Sequence, residues 1–298
     1  MYRLRTSYKS NQQEVPERFG LFPMVIKRYF SDDVFNSIKA DFGFLIDRIL
    51  QSGFEYDLQI RDNYFNFYYK GNSLGKISFS SKTGLYNIRI HHKFIDQKIK
   101  ERFKPQEGTY LTFIIPKKQL HPLFSQANLA SMSQKVKTVN FQEEVIFEQM
   151  IMTDNVGRKD FIIIDRQIMD NTAKTKMDLL ALVKQADSNY QFCVIEVKLG
   201  NNPELRGDVI NQLKGYIQRI EQNSEAYREC YKINFRQKQE LGLFDRDLNV
   251  NIIPGVEGIV VILGYSGLAH KSIALLKEKD PSIKILHLKN VIDLSKAK

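Results

Sequence analysis

Cysteine, tryptophan and long apolar runs are scarce or absent in this sequence. Two cysteines occur among 298 residues. Cys193 lies inside an apolar strand-like run and Cys230 in a polar helical stretch, which argues against a disulfide framework. No apolar run approaches the roughly 20 residues that a membrane-spanning helix needs. The charged opening residues lead into no apolar segment, so we expect no signal peptide and a cytoplasmic protein. The phosphate-binding pattern Gly-x-x-x-x-Gly-Lys is also missing, which excludes ATP use through a P-loop.

The first half of the chain is poor in acidic residues. Residues 1–140 contain 22 Lys and Arg against 12 Asp and Glu, whereas residues 141–298 contain 22 of each. The whole net charge of +10 therefore lies in the first half. Such an excess favours a polyanionic partner, with nucleic acid as the first candidate. The alternative is a basic domain whose charge serves solubility only.

Local patterns in the first half indicate a helix followed by strands. Apolar residues recur at helical spacing over 32–51, where Ser31 or Asp32 can cap the start. Three strand-like runs follow, at 59–69, 74–79 and 85–90.

Aromatic and basic side chains interleave in these strand-like runs. The segment 64–69 holds five aromatic residues. The basic residues predicted to contact nucleic acid are Lys76, Lys82, Arg89 and Lys93. One face of such a sheet can stack bases while the basic residues hold phosphates. Aromatic residues in strands more often fill a core, which is the favoured interpretation of this cluster.

A change of pattern near the middle of the chain predicts two domains. Residues 116–140 lack a clear period and are rich in Ser, Gln and Lys, as domain boundaries often are. We expect a smaller basic α+β domain at 1–135 and an α/β domain at 138–298. The second half is predicted to contain a helix at 141–151, strands at 160–169, 177–183 and 191–199, helical sequence from 205 to about 239, a strand at 256–263, a helix at 268–279 and a strand at 283–288. This order predicts an α/β core with a mixed central sheet.

One apolar strand carries two charges that an ordinary core strand would lack. Residues 192–198 read Phe-Cys-Val-Ile-Glu-Val-Lys, and their β-branched residues are typical of a strand covered on both faces. Glu196 and Lys198 are two residues apart, so their side chains project from the same face. Burial of both charges is costly unless a metal ion and a phosphate compensate them. This strand therefore predicts a functional site.

A second carboxylate is predicted to lie beside Glu196. Asp178 begins an apolar strand, and a short polar loop then leads into the Glu196 strand, so the two strands form a hairpin. Two carboxylates held close in a buried site repel one another and favour a hard divalent cation, Mg²⁺ or Mn²⁺, with oxygen ligands. The carbonyl oxygen of Val197 is a further candidate ligand.

Two helices contribute further polar candidates. Gln212 and Tyr216 are four residues apart and share one helix face. Glu143 and Glu144 are both available on the helix before the sheet, and Glu148 is a poorer candidate. An acidic first turn also complements the helix dipole, which accounts for at least one of these acids without any catalytic role.

Together these residues resemble the PD-(D/E)XK nuclease superfamily, in particular its RecB-like branch. The resemblance covers residues 140–290, just over half of the chain. The family pattern is an acid on the first core helix, an Asp in one strand, Glu-x-Lys in the next and Gln-x-x-x-Tyr on the following helix, and this chain has that order. It departs at Met177, where the superfamily often has proline before the aspartate. The resemblance implies a restriction-endonuclease-like fold for this half.

The resemblance also implies a chemistry. A divalent ion, Mg²⁺ or Mn²⁺, would be held by Asp178, Glu196 and the Val197 carbonyl, where it would acidify a water and stabilise the transition state. Lys198 would hold or help deprotonate that water and neutralise a phosphate oxygen, and its pKa should fall if it is desolvated.

The helix residues would then support the reacting groups. Gln212 would position the water or the lysine amine, and Tyr216 would contact the phosphate. Glu143 or Glu144 would orient the water or hold a second metal.

The leading hypothesis is a metal-dependent endonuclease that acts on DNA, fitting defence against or restriction of foreign DNA. Alternatives are cleavage of RNA or of single-stranded or branched DNA, or a nucleic-acid-binding module whose core is unused. A further alternative is a first half that binds a partner or a small signal and switches the nuclease. The resemblance also implies a possible homodimer, since dimers are common in this superfamily, where cutting both strands needs two sites.

Overall fold

The computed structural model describes residues 26–139, 143–170 and 175–289. The weakly patterned opening segment, and the first two residues of the helix predicted from Phe141, lie outside these ranges. Within the described ranges, no helix is both long and apolar enough to cross a membrane.

The N-terminal half is built around a five-stranded antiparallel sheet whose strands follow sequence order. The strands are β1 (Tyr56–Ile60), β2 (Tyr64–Tyr69), β3 (Asn72–Ser80), β4 (Leu85–His91) and β5 (Tyr110–Pro116). The helices are α1 (Asp32–Asp41), α2 (Gly43–Gln51), α3 (Gln97–Phe103), α4 (Leu120–Leu123) and α5 (Gln126–Val139). Alternate strand residues such as Phe65, Phe67 and Ile88 share one core with apolar residues of the helices. Most of the aromatic cluster at 64–69 is thus buried, as the favoured interpretation predicts.

The C-terminal half has a five-stranded mixed sheet in the order β10-β9-β8-β7-β6. Its strands are β6 (Phe161–Asp170), β7 (Thr175–Ala186), β8 (Asn189–Leu199), β9 (Asn251–Leu263) and β10 (Lys284–Leu288). Its helices are α6 (Glu143–Asp154), α7 (Asp208–Gln222), α8 (Ser224–Glu240) and α9 (Ser266–Lys279). β6, β7 and β8 pair antiparallel, whereas β8, β9 and β10 pair parallel. The predicted α/β core with a mixed central sheet is confirmed.

Several local predictions for the N-terminal half are wrong. The helix predicted over 32–51 is two helices, because Phe42 leaves helical geometry at φ −114° and buries its ring in the core. The strand predicted at 59–69 is the hairpin of β1 and β2, with Asn63 in its turn at φ +55°. The sequence analysis missed β5 altogether.

The segment at 116–140 is also more regular than its composition suggests. Most of it forms α4 and α5, and Leu129, Met132 and Val136 of α5 are buried in the N-terminal core. These three residues are spaced by three and four positions, as expected for one helix face. The polar residues between them obscure that period in the sequence.

A buried ionic cluster joins the two halves. Asp165 of β6 is fully buried and binds Arg28 Nη1 at 2.9 Å, Arg61 Nη1 at 2.8 Å and the Tyr231 hydroxyl at 2.9 Å. Burial alone would raise the pKa of Asp165, but the charges of Arg28 and Arg61 outweigh burial and lower it. A carboxylate of the C-terminal sheet thus pairs with two arginines of the N-terminal half.

The end of α8 contributes to both hydrophobic cores. Phe235 packs in the core of the C-terminal half, whereas Leu241 and Leu243, just past the helix, pack in the core of the N-terminal half. Gln237 also exchanges two hydrogen bonds with the backbone of Phe30, of 2.9 and 2.8 Å. The segments predicted as domains 1–135 and 138–298 are therefore in close contact.

The turn between β2 and β3 touches α6 and tolerates only glycine at its centre. Gly71 has φ +81°, and a Cβ there would collide with the Val145 carbonyl oxygen and lie 2.9 Å from Arg166 Nη2. Gly84 has a similar φ of +67° but open space around it.

Gly71→Ala is expected to lower the free energy of unfolding by about 1–3 kcal/mol more than Gly84→Ala. Both variants carry the cost of an alanine at positive φ, but only the first also collides with backbone of α6. Urea denaturation of the two variants measures the difference. Equal losses in both variants would contradict the contact between this turn and α6.

Candidate active site

The β7–β8 hairpin brings Asp178 to the Glu196 strand. Backbone pairing between the two strands ends at Leu179 and Ile195, so Asp178 lies just beyond the last pair. Its Oδ2 accepts a hydrogen bond of 2.9 Å from the Val197 N–H. The N–H and C=O of one residue point to the same side of an extended strand, so the Val197 carbonyl also faces this side. The Asp178 carboxylate thus accepts the Val197 N–H, which the backbone of a neighbouring strand would otherwise accept.

Glu196 and Lys198 form a buried ion pair on one face of β8. Lys198 Nζ lies 2.8 Å from Glu196 Oε1 and 2.7 Å from Glu204 Oε2, and Glu196 and Lys198 are only 2% and 7% exposed. Burial alone would lower the pKa of Lys198, but the charges of Glu196 and Glu204 outweigh it and raise that pKa. The expectation that the pKa of a desolvated Lys198 falls is therefore wrong, and the ammonium stays charged.

The first turn of α6 brings acids to the end of β8. Glu144 Oε1 accepts hydrogen bonds from the Leu199 N–H at 3.2 Å and from Asn202 Nδ2 at 2.8 Å. Glu143 lines the same cleft. Glu144 is thus the acid that fixes the loop after Lys198, while both acids face the site.

The helix α7 covers the cleft with the two predicted polar residues. The Tyr216 hydroxyl donates a hydrogen bond of 2.9 Å to the Lys176 carbonyl, and burial raises the pKa of Tyr216 to about 12. The hydroxyl expected to contact phosphate therefore holds β7 two residues before Asp178. Burial alone would raise the pKa of Glu204, but Lys198 and a hydrogen bond from Gln212 outweigh burial and lower it.

All seven side chains predicted to be catalytic line one cleft of about 580 Å³. They are Glu143, Glu144, Asp178, Glu196, Lys198, Gln212 and Tyr216. Burial, followed by the charges of Glu196 and Glu148, raises the pKa of Asp178 well above its usual range. Burial also raises the pKa of Glu196, against the opposing charge of Lys198. The cleft therefore concentrates negative charge that its own lysine only partly neutralises.

The donors in this cleft suit a hard divalent cation. Asp178 and Glu196 supply carboxylate oxygens, the Val197 carbonyl faces the same side, and Glu196 Oε2 is buried without a hydrogen-bond partner. Within the described ranges, no three His, Cys, Asp or Glu side chains converge in metal-binding geometry. Here Glu196 is turned to Lys198 and Asp178 to the Val197 N–H. The chemistry of the donor set fits Mg²⁺ or Mn²⁺.

Sequence analysis missed two residues at or next to this site and ranked a third too low. Glu148, rated a poor candidate, is buried, lines the cleft and binds Arg166 Nη2 at 2.9 Å. Arg166 was not singled out, although a charge within the apolar run of β6 is the same anomaly that revealed Glu196. Glu204 follows Pro203 at the start of a short 3₁₀ helix, a common helix-start pattern that carries no catalytic signal.

Three of the four basic residues predicted to bind nucleic acid meet in one groove. Lys76, Arg89 and Lys93 line a groove of about 410 Å³ on the outer face of the N-terminal sheet. Lys82 lies in the exposed turn between β3 and β4 and does not line the groove. β3, β4 and the segment just after β4 thus bring these three cations together.

Comparisons with known proteins add little to this geometry. No family model matches the chain, and no curated protein matches it. The apo form of EndoMS, a solved structure, is 13% identical over 79% of this chain and 78% of that chain, with a TM-score of 0.23. Because so low a TM-score carries no argument, the functional case depends on the site itself.

Proposed function

We propose that this protein is a divalent-metal-dependent endonuclease that hydrolyses phosphodiester bonds in DNA. The observation that carries the proposal is the buried Glu196–Lys198 pair, which lies beside Asp178 at the floor of an open cleft. Buried charges are costly and are retained where chemistry needs them. The net positive charge of the first half supports a nucleic acid as substrate.

Asp178 and Glu196, with the Val197 carbonyl, would hold the ion, which would supply charge neutralisation at the phosphate and acidify a water molecule. Despite its burial, the carboxylates around Lys198 raise its pKa in this structure, which favours a role as a cation for a phosphate oxygen over a role as a base. Glu204 holds that ammonium in place and is itself bonded by Gln212, while Tyr216 holds β7 and Glu144 holds the loop after β8.

Cleavage by the purified protein tests the proposal directly. The substrates are supercoiled plasmid, linear duplex, single-stranded DNA and RNA, each with Mg²⁺, with Mn²⁺ or with EDTA. We expect nicked or linear plasmid in the metal lanes only, and none with Asp178→Asn. Cutting in EDTA, or full activity of the variant, would contradict the proposal.

A nuclease switched by a small signal is the second candidate, favoured by a cavity between the two halves. The cavity of about 270 Å³ is mainly apolar and contains Asp57, Lys238 and Gln149. Gln149 lies on α6 beside Glu148, so one helix contacts both this cavity and the candidate active site. Binding of plasmid DNA without its cleavage, in the presence of Mg²⁺ or of Mn²⁺, would favour this candidate.

A further inference from the structure

The outer face of the N-terminal sheet presents a ladder of polar and basic residues across four strands. Asn66, Lys76, Arg89 and Thr112 are direct cross-strand neighbours on β2, β3, β4 and β5. The ladder spans three strand spacings, about 14 Å. It crosses the groove lined by Lys76, Arg89 and Lys93.

The cations of this groove have no carboxylate partners. Within the described part of the chain, no ion pair involves Lys76, Arg89 or Lys93, and the groove lining contains no acid. Burial, followed by the charge of Arg89, lowers the pKa of Lys76. Exposed lysines and arginines on protein surfaces commonly have acids nearby, so this groove is a strong local site for anions.

Aromatic rings lie directly against these cations. Lys76 Nζ is 3.7 Å from the centre of the Tyr64 ring, and the Arg89 guanidinium is 5.3 Å from that of Tyr110. The Tyr110 side chain is 50% exposed although it lies in the middle of a basic groove. An exposed ring beside several cations on a sheet face is an arrangement that can stack a base and hold backbone phosphates.

A chain of contacting side chains connects this groove with the candidate active site. Asn66, in the groove, donates a hydrogen bond of 3.2 Å to the Tyr68 hydroxyl, and the Arg166 guanidinium lies 5.1 Å from the Tyr68 ring centre. Arg166 in turn binds Glu148, which lines the catalytic cleft. A strand held in the groove is therefore a few side chains from the cleft.

We infer that this groove binds an unpaired strand of nucleic acid, with a base stacked on Tyr110 and phosphates held by Lys76, Arg89 and Lys93. In a duplex the base faces are stacked on one another, so only an unpaired segment offers a free face to an exposed ring. The inference deepens the proposed function, on which it rests, by naming single-stranded DNA or an unpaired segment of DNA as the substrate class.

Binding without catalysis tests the inference. Fluorescence anisotropy is measured with labelled fifteen-nucleotide oligothymidine and with a fifteen-base-pair duplex, using Asp178→Asn protein in EDTA so that cleavage cannot contribute. We expect tighter binding of the single strand. Tyr110→Leu should weaken that binding about 10-fold, whereas Tyr110→Phe, which keeps the ring, should preserve it.

Matched controls separate stacking and charge from general effects. Ile114→Ala is the control for Tyr110→Leu, because it removes another exposed side chain of β5 that lies outside the groove. Lys76→Gln, which removes a cation of the groove, should weaken binding, and Lys82→Gln is its control. Both controls should leave binding unchanged. Equal affinity for duplex and single strand, a Tyr110→Leu variant that binds as before, or no binding at all would overturn the inference. Intact single-strand binding by a protein that never cuts would contradict the proposed nuclease activity alone.

Discussion

Asp178→Asn is expected to abolish metal-dependent cleavage while raising the melting temperature of the metal-free protein. The loss of activity should be about 1000-fold or more, because a metal-holding carboxylate contributes several kcal/mol to transition-state stabilisation. The gain in stability should be about 1 kcal/mol, or about 2 °C, because the half-buried Asp178 carboxylate faces the charges of Glu196 and Glu148. Asparagine keeps an oxygen for the Val197 N–H and removes the charge.

Plasmid cleavage and thermal denaturation of the same preparations measure both effects. Asp187→Asn is the matched control, since Asp187 lies exposed in the β7–β8 turn and loses the same charge. It should change neither quantity. A lower melting temperature for Asp178→Asn would show that Asp178 mainly supports the fold, and retained cleavage would remove it from the catalytic set.

Asp165→Ala is expected to destabilise the protein by about 3–5 kcal/mol. The substitution leaves Arg28 and Arg61 without their shared carboxylate in a buried site, and an uncompensated buried charge is far more costly than a missing surface pair. Urea denaturation followed by circular dichroism measures the loss. Asp160→Ala is the control, because Asp160 pairs with Arg158 on the surface and should leave the midpoint unchanged.

The pH dependence of this loss of stability follows from the direction in which the pKa of Asp165 is shifted. The folded-state pKa of Asp165 lies below its unfolded value, so its stabilisation is present at neutral pH and is lost as pH falls below about 4. Wild type and Asp165→Ala should therefore converge in stability on acidification. A gap that stays constant from pH 7 to pH 3 would show that packing, rather than the ion pairs, accounts for the loss.

The candidate site could be assembled from sequence because two of its residues break a local rule and the others follow in the order of the superfamily pattern that the chain resembles. Glu196 and Lys198 interrupt an apolar strand, Asp178 follows from the hairpin that leads into that strand, and Gln212 and Tyr216 share a helix face. Local patterns of this kind can be recognised in a sequence without any knowledge of tertiary contacts. The catalytic assignment of these residues remains a prediction until cleavage is measured.

The sequence alone does not predict which distant residues each side chain contacts in the folded protein. The hydroxyl of Tyr216 bonds a carbonyl forty residues away, at Lys176, and Glu204 comes to Lys198 through a short loop. Against the effect of burial, the attraction of Lys198 to Glu196 and Glu204 raises the pKa of the lysine. That attraction depends on distances between side chains, which the spacing of residues in the sequence does not give. Strand β5 was missed for a related reason, since its exposed Tyr110 and Ile114 obscure the alternation of a half-buried strand.

The position of Leu241 and Leu243 in the N-terminal core has a consequence for synthesis of the chain on the ribosome. The segment that ends at α5 emerges without these two residues, and roughly 100 further residues, or about 5–20 s of translation, must follow before they are made. During that interval the N-terminal core is incomplete, and Arg28 and Arg61 have no carboxylate partner until Asp165 is made. The N-terminal core is thus completed only when the end of α8 has been made, so we expect the two halves to reach their native state together.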